Sequence, residues 1–219
     1  MEKVITEKLI KKYINKNNFE VVKYNQKENW NDKIWFSADL HINHSNICYS
    51  TSRWENKETN TRRFDSISQM NDEIINNINK HVKVEDHFYL LGDLLFRWKT
   101  LEDYEKILNR INCQHIFLLG GNHDHYHILQ QLMGNMNKIM GVDMYHEIEI
   151  DGKLVCMMHY PIHEWNNRHR SAYQLHGHSH GNWNKEQPKG RLDVGIDSAK
   201  MILKEYRPFS WKEIKTLLK

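Results

Sequence analysis

The sequence predicts an α/β domain with two sheets in its middle, and three observations carry that expectation. From Ile34 onward, short apolar runs alternate with amphipathic stretches in the order βαβαβα. After Gly141 the chain becomes strand-rich, around the two-residue hairpin signal Asp151-Gly152. Five of the apolar strands run straight into blocks of Asp, Asn and His instead of ordinary turns.

The elements follow in chain order. Residues 2–16 carry Ile5, Leu9 and Tyr13 at i, i+4, i+8, with Ile10 and Ile14 beside them, and are expected to form a helix. A short strand over Phe19–Tyr24 and a polar stretch, Asn25–Lys33, complete an appendage over 1–33, leaving 34–219 as the main domain. There, strands are expected at Ile34–Ser37, His87–Leu91 and His115–Leu119. Helices are expected over about 66–82 (Met70, Ile74, Ile75 and Ile78 on one face), after the cap Thr100, and near His127–Met133. Tyr145–Ile150 and Leu154–Met158 flank the hairpin turn, and further strands are expected at Tyr173–His176 and Leu192–Gly195. Ser210-x-x-Glu213 is a capping box that opens a last helix ending near Leu218.

Composition narrows the function. The 219 residues suit one domain with a small addition, and 39% apolar with 27% charged residues indicates a folded core. Ten Gly and three Pro exclude collagen-like and Pro-rich classes. No apolar run reaches the roughly 18–20 residues that span a bilayer, and Met1–Thr6 leads into Lys and Glu, so a cytoplasmic protein with no membrane partner is expected. Cys48, Cys113 and Cys156 form no Cys-x-x-Cys pair, which argues against a disulfide framework or a thiolate zinc site. The net charge of +3 resides in residues 1–33, which hold eight Lys and five acids, so nucleic acid is possible but not indicated as a partner. Histidine, at 15 residues, is the unusual count.

The strand ends gather metal-competent side chains: Asp39 and His41 after the first, Asp93 after the second, Asn122, His123 and Asp124 after the third, then His159, and His178 with His180. Residues two apart in an extended segment point the same way, and the carboxyl rim of an α/β sheet is where ligands bind. Carboxylates, imidazoles and a carboxamide suit Mn²⁺, Fe, Zn²⁺ or Ni²⁺. Seven donors exceed one tetrahedral site and suit two ions sharing a carboxylate, a constellation that performs displacement at phosphorus.

Asp39-x-His41, Gly92-Asp93, Gly121-Asn122-His123-Asp124, His159 and Gly177-His178-x-His180 resemble, in order and spacing, the motif set of the calcineurin-like metallophosphoesterases. His41-x-x-His44-x-Asn46-Ile47, Arg63-Phe64, Met70-Asn71, His159-Tyr160-Pro161, Trp165 and Asp193-Val194-Gly195 are similar to the small bacterial and phage members. The resemblance implies a four-layer αββα sandwich. It implies one metal on Asp39, His41, Asp93 and His180, and a second on Asp93, Asn122, His159 and His178. A hydroxide between the ions, most simply two Mn²⁺, would attack phosphorus, with His123 protonating the leaving alkoxide or stabilising the phosphoryl oxygens.

In the protein phosphatases of that superfamily an Asp three residues after Gly-Asp orients the catalytic histidine. Here the position is Phe96, so His123 is expected to lean on Asp124. His44, Asn46, Arg63 and Arg97 are candidate substrate contacts, and the long segment from Cys48 to Arg62, with Arg53 and Trp54, could shape the pocket. The expected substrate is a small nucleotide-like phosphomonoester or phosphodiester. A pyrophosphohydrolase, a nuclease and a non-catalytic scaffold of the same fold are the alternatives; the intact ligand set and His123 weigh against the scaffold.

Overall fold

A computed structural model of the chain describes residues 10–14, 20–24, 26–52, 62–97, 100–182 and 188–219. Eleven strands build two mixed sheets. The five-stranded sheet has the order β11-β3-β4-β5-β6, from β3 (Ile34–Ser37), β4 (His87–Leu91), β5 (His115–Leu119), β6 (Ile139–Asp143) and β11 (Phe209–Ser210). Its members are parallel except the edge strand β11. The six-stranded sheet has the order β1-β2-β7-β8-β9-β10, from β1 (Ile10–Ile14), β2 (Glu20–Tyr24), β7 (Tyr145–Ile150), β8 (Lys153–Met158), β9 (Tyr173–His176) and β10 (Arg191–Asp193).

The buried residues explain the layers. Ile34, Phe36, Tyr89, Leu91, Phe117 and Leu119 point from the five-stranded sheet into a shared core with Val22, Ile148, Val155, Met157 and Leu175 of the other sheet. Alternate positions on the first sheet, Phe88, Leu90, Ile116 and Leu118, meet the helices α2 (Ile67–His81), α3 (Leu101–Asn109) and α4 (Tyr126–Asn135). Strands buried on both faces are what the continuous apolar runs of β4 and β5 require. α5 (Ile196–Leu203) and α6 (Trp211–Leu217) follow β10 and β11; Ala199, Trp211 and Ile214 pack into the inter-sheet core. On the outer face of the six-stranded sheet, Cys156 lies under Trp165 and Ala172. This is the αββα sandwich that the resemblance implies.

Local chemistry sets the boundaries. Ser66 caps α2, and reciprocal capping boxes pair Thr100 with Asp103 at α3 and Ser210 with Glu213 at α6. Asp151 (φ 53°) and Gly152 (φ 73°) both take the left-handed conformation of a tight hairpin.

Two expectations need correction, and some elements had none. Ile10–Ile14 is a strand paired antiparallel with β2, although its apolar residues at 10, 13 and 14 have helical spacing; so short a run does not fix its own conformation, and sheet pairing decides. The rest of the expected helix, 2–9 and 15–16, lies outside the described residues. β2 pairs in parallel with β7, which joins this segment to the six-stranded sheet. The strand expected over Leu192–Gly195 is Arg191–Asp193, because Gly195 is already the N-cap of α5. Finally, β6, β11, α5 and the single-turn α1 (Ser45–Cys48) lacked a clear local signal.

The core also contains an acid-sensitive group remote from the rim. His87, 3% exposed, stacks on His115 (5.0 Å between ring centres) and lies edge-on to Tyr24 and Trp30. Its Nδ1 lacks a hydrogen-bond partner. Burial, with His115 adding to it, pushes its pKa down to about 3. Below its ordinary value the unfolded chain takes up a proton that the folded one refuses. The neutral ring's stability is therefore complete above pH 6.5 and lost toward pH 3, at about 1.4 kcal/mol per pH unit. Unfolding in urea between pH 6 and 4 should show His87→Phe with a shallower pH slope by about that amount; an unchanged slope would contradict it.

Candidate metal centre

The ladders of both sheets continue past the strand ends and fix the loops that carry the polar residues. The Asp39 N–H bonds Gly92 O (3.0 Å), the His41 N–H bonds Asp93 O (3.0 Å), and the Gly177 N–H bonds His159 O (2.9 Å). Ala38 bridges to Gly195, so β3 of one sheet meets the end of β10 of the other at this rim. Both sheets thus deliver their carboxyl ends to one place.

Those loops hold unusual backbone. Asp39 (φ 54°), His41 (φ 46°), Asp93 (φ 56°), His178 (φ 67°) and His180 (φ 49°) all occupy the left-handed region, which side chains other than Gly, Asn and Asp seldom enter. Such residues cost about 1–3 kcal/mol each and collect at functional sites. Two glycines let the strands close in. A Cβ on Gly177 would sit 2.5 Å from Asp39 Oδ2, and one on Gly121 would collide with the Asp93 carboxylate.

All seven predicted ligands converge. Asp93 Oδ2 lies 3.5 Å from His41 Nε2 and 3.5 Å from His159 Nε2. Asp39 Oδ1 lies 3.8 Å from His41 Nε2 and 3.9 Å from His180 Nε2. Asn122 Oδ1 is 3.0 Å from His159 Nε2 and 2.9 Å from His178 Nδ1. Two atoms ligating one cation at about 2.0–2.2 Å stand roughly 3–3.6 Å apart, close to these spacings. Asp39, His41 and His180 form one group whose ligand atoms lie within 4.8 Å of one another, and Asp39, Asp93 and His159 form another.

The donors also fit a cation chemically. Asp39 Oδ1 and His41 Nε2 are buried without a hydrogen-bond partner, an expensive state for a carboxylate and an imidazole. His159 Nδ1 faces the Leu91 carbonyl at 2.8 Å, which can only accept, so Nε2 carries the lone pair and points inward. Burial raises the Asp39 pKa well above the carboxylate range, with Asp193 and Asp93 adding to it against His180. Burial likewise lifts Asp93 to about 6, opposed by the His123 N–H. Burial depresses the pKa values of His41 and His159, keeping both neutral. Neutral imidazoles around charge-starved carboxylates make a receptor for a divalent cation.

The remaining predicted residues divide. His123 sits at the rim with its side chain 39% exposed and its Nε2 4.0 Å from Asp93 Oδ2. The Asp124 carboxylate is engaged by other groups. Asp124 Oδ2 accepts the N–H groups of Asp93 (2.7 Å) and Gly121 (3.0 Å), and Oδ1 accepts Leu94 N–H and Tyr104 O–H. Its carboxylate locks the β4 and β5 loops together, which makes it a positioning residue. Phe96 takes up the packing instead, edge-on to His123 (5.1 Å) and stacked on His44 (3.5 Å). His44 is buried, 5.4 Å from the His41 ring, as expected of a residue near the centre. Asn46, Arg63 and Arg97 are exposed. Arg53 and Trp54 lie outside the described residues.

Sequence reasoning singled out Arg63 as a substrate contact and passed over its neighbour Arg62. Arg62 is the buried one, and it bonds the main chain of Asp39 and Leu40 and the carboxylate of Asp197. Asp197, in the first turn of α5, also escaped notice; the nearby Asp193-Val194-Gly195 block was its only pointer.

No protein-family model matches the chain. Over 156 residues, 71% of this chain and 74% of the relative, it is 28% identical to an uncharacterized protein of Methanocaldococcus jannaschii. Among solved structures it is similar to a protein of unknown function from Aquifex aeolicus, with a TM-score of 0.54 and 21% identity, over 84% of this chain and 98% of that one. That likeness shows the fold. An archaeal phosphodiesterase aligns with 77% of this chain and 87% of its own at a TM-score of 0.41 and 16% identity. Among the described residues, no helix is long and apolar enough to cross a membrane.

Proposed function

We propose that the protein is a divalent-cation-dependent phosphoesterase acting on small, nucleotide-like phosphomonoesters or phosphodiesters. One observation carries the reading: five strand ends from two sheets bring seven oxygen and nitrogen donors together around buried, unpartnered atoms of Asp39 and His41. Asp39, His41, Asp93 and His180 would hold one cation, and Asp93, Asn122, His159 and His178 the other. When bound, such a pair supplies a water made acidic enough to attack phosphorus at neutral pH and neutralises the phosphoryl oxygens.

The chain's own residues supply the rest. Asp93 faces both His41 and His159 and is the carboxylate placed to serve both ions. Asn122 and His178 are exposed whereas Asp39, His41 and His159 are buried, so the ester approaches from the Asn122–His178 side. His123, on that open side, is placed to give a proton to the leaving oxygen. The balanced charge of residues 34–219 suits a small substrate better than a polynucleotide.

Chelation should abolish hydrolysis of a nitrophenyl phosphate and of its bis ester, and added Mn²⁺ should restore it. Activity indifferent to chelator would end the reading. The same assay, run with cyclic nucleotides, dinucleoside polyphosphates and short oligonucleotides, identifies the ester class.

A further inference from the structure

We propose that Arg62 and Asp197 form a positioning pair that fixes the His180 imidazole with Nε2 facing Asp39, and so sets the affinity for the cation on that side of the centre. The inference rests on the cation-dependent reading above and adds two residues to it.

The Arg62 side chain is fully buried and its guanidinium makes five bonds, four to oxygen and one to Met70 Sδ (3.8 Å). Nε donates to Asp197 Oδ1 (2.8 Å) and Nη2 to Asp197 Oδ2 (2.9 Å), a two-pronged fork. Nη1 donates to Leu40 O (2.7 Å) and Nη2 also to Asp39 O (2.7 Å). One guanidinium therefore ties the loop that presents Asp39 and His41 in left-handed backbone to the first turn of α5.

Asp197 makes one more bond, and it reaches a predicted ligand. His180 Nδ1 lies 2.7 Å from Asp197 Oδ2. With both Asp197 oxygens forked by Arg62, His180 Nδ1 donates to Oδ2, and this turns the ring's Nε2 toward Asp39 Oδ1, 3.9 Å away. Arg62 thus acts on three ligands from two loops. Lysine could keep the charge but not the fork.

The pair could instead be an ordinary buried ion pair, and the test separates the two. Mn²⁺ binding to Asp197→Asn and Arg62→Lys is titrated by calorimetry and electron paramagnetic resonance. One of two sites should weaken by roughly 10–100-fold, the usual cost of losing a ligand's hydrogen-bonded partner, while the other stays within about threefold. His180→Ala should weaken the same site, and adding Asp197→Asn to it should cost little more, because both changes act through one imidazole. In the chelated protein, ¹⁵N shifts should report a protonated, hydrogen-bonded Nδ1 for His180 in the wild type and loss of that signature in Asp197→Asn. Should Asp197→Asn fail to fold, Arg62→Lys gives the same readings. Wild-type affinity at both sites in a folded variant, or effects that add fully to His180→Ala, would overturn the pair. A wild-type protein that takes up no cation would overturn the underlying reading, and the ¹⁵N measurement would still report on the pair.

Discussion

Asp93→Asn should leave the protein unable to hold either cation and reduce its turnover of aryl phosphates to that of the chelated wild type. Asp93 Oδ2 lies at one distance, 3.5 Å, from His41 Nε2 and His159 Nε2, one imidazole from each half of the centre. A carboxamide keeps the shape but loses the charge that a shared carboxylate contributes to both ions. Its oxygen can still accept the His123 N–H that Asp93 Oδ1 now holds at 2.8 Å, so the loop should persist.

Without metal the same change should stabilise the fold. Burial lifts the Asp93 pKa to about 6, above its unfolded value near 4, so the folded state binds the proton more tightly. A raised carboxylate pKa is a penalty complete above pH 6 and gone below about pH 4. Two units correspond to roughly 3 kcal/mol. Chelated Asp93→Asn should therefore resist urea better than the chelated wild type at pH 7.5, with the gap closing as pH falls toward 4. With Mn²⁺ present the order should reverse. Retention of two tightly bound ions by the variant would show that Asp93 does not bridge.

The legible part of this molecule is the part written locally. β4 and β5 begin and end where their apolar runs do, because both faces of those strands are buried and the runs stop at the first ligand-bearing block. Thr100 and Ser210 mark helix starts because a cap and its partner three residues on satisfy each other without outside help. The seven candidate donors were legible for a related reason: each lies just past an apolar run, and parallel strands must present those ends at one rim.

What stayed hidden depends on partners distant in sequence. Ile10–Ile14 is a strand because β2 lies beside it. Phe209–Ser210, only two residues, counts as a strand through its pairing with β3. Arg62 and Arg63 are indistinguishable in sequence; an irregular backbone segment has no period to say which points inward, and it is the partners distant in sequence, Asp197 and the Asp39 and Leu40 carbonyls, that hold Arg62 there. Asp124 was expected to hold the His123 ring, but its carboxylate already takes three N–H donors from two loops and the Tyr104 O–H of α3.

His123→Ala should lower kcat by about 10²–10⁴-fold while leaving cation content nearly unchanged. The ring is held by packing, edge-on to Phe96 (5.1 Å) and to His41 (5.3 Å), and it is the main-chain N–H of His123 that bonds Asp93. Removing the ring therefore spares the hydrogen bond that steadies Asp93. The two roles open to this imidazole predict different patterns. A proton donor matters when the leaving group is an alkoxide and matters little when it is a nitrophenolate, which departs without a proton. A group that steadies the phosphoryl oxygens matters for both. A loss confined to alkyl esters identifies the donor, an equal loss on both identifies the oxygen contact, and full activity on both removes His123 from the reaction.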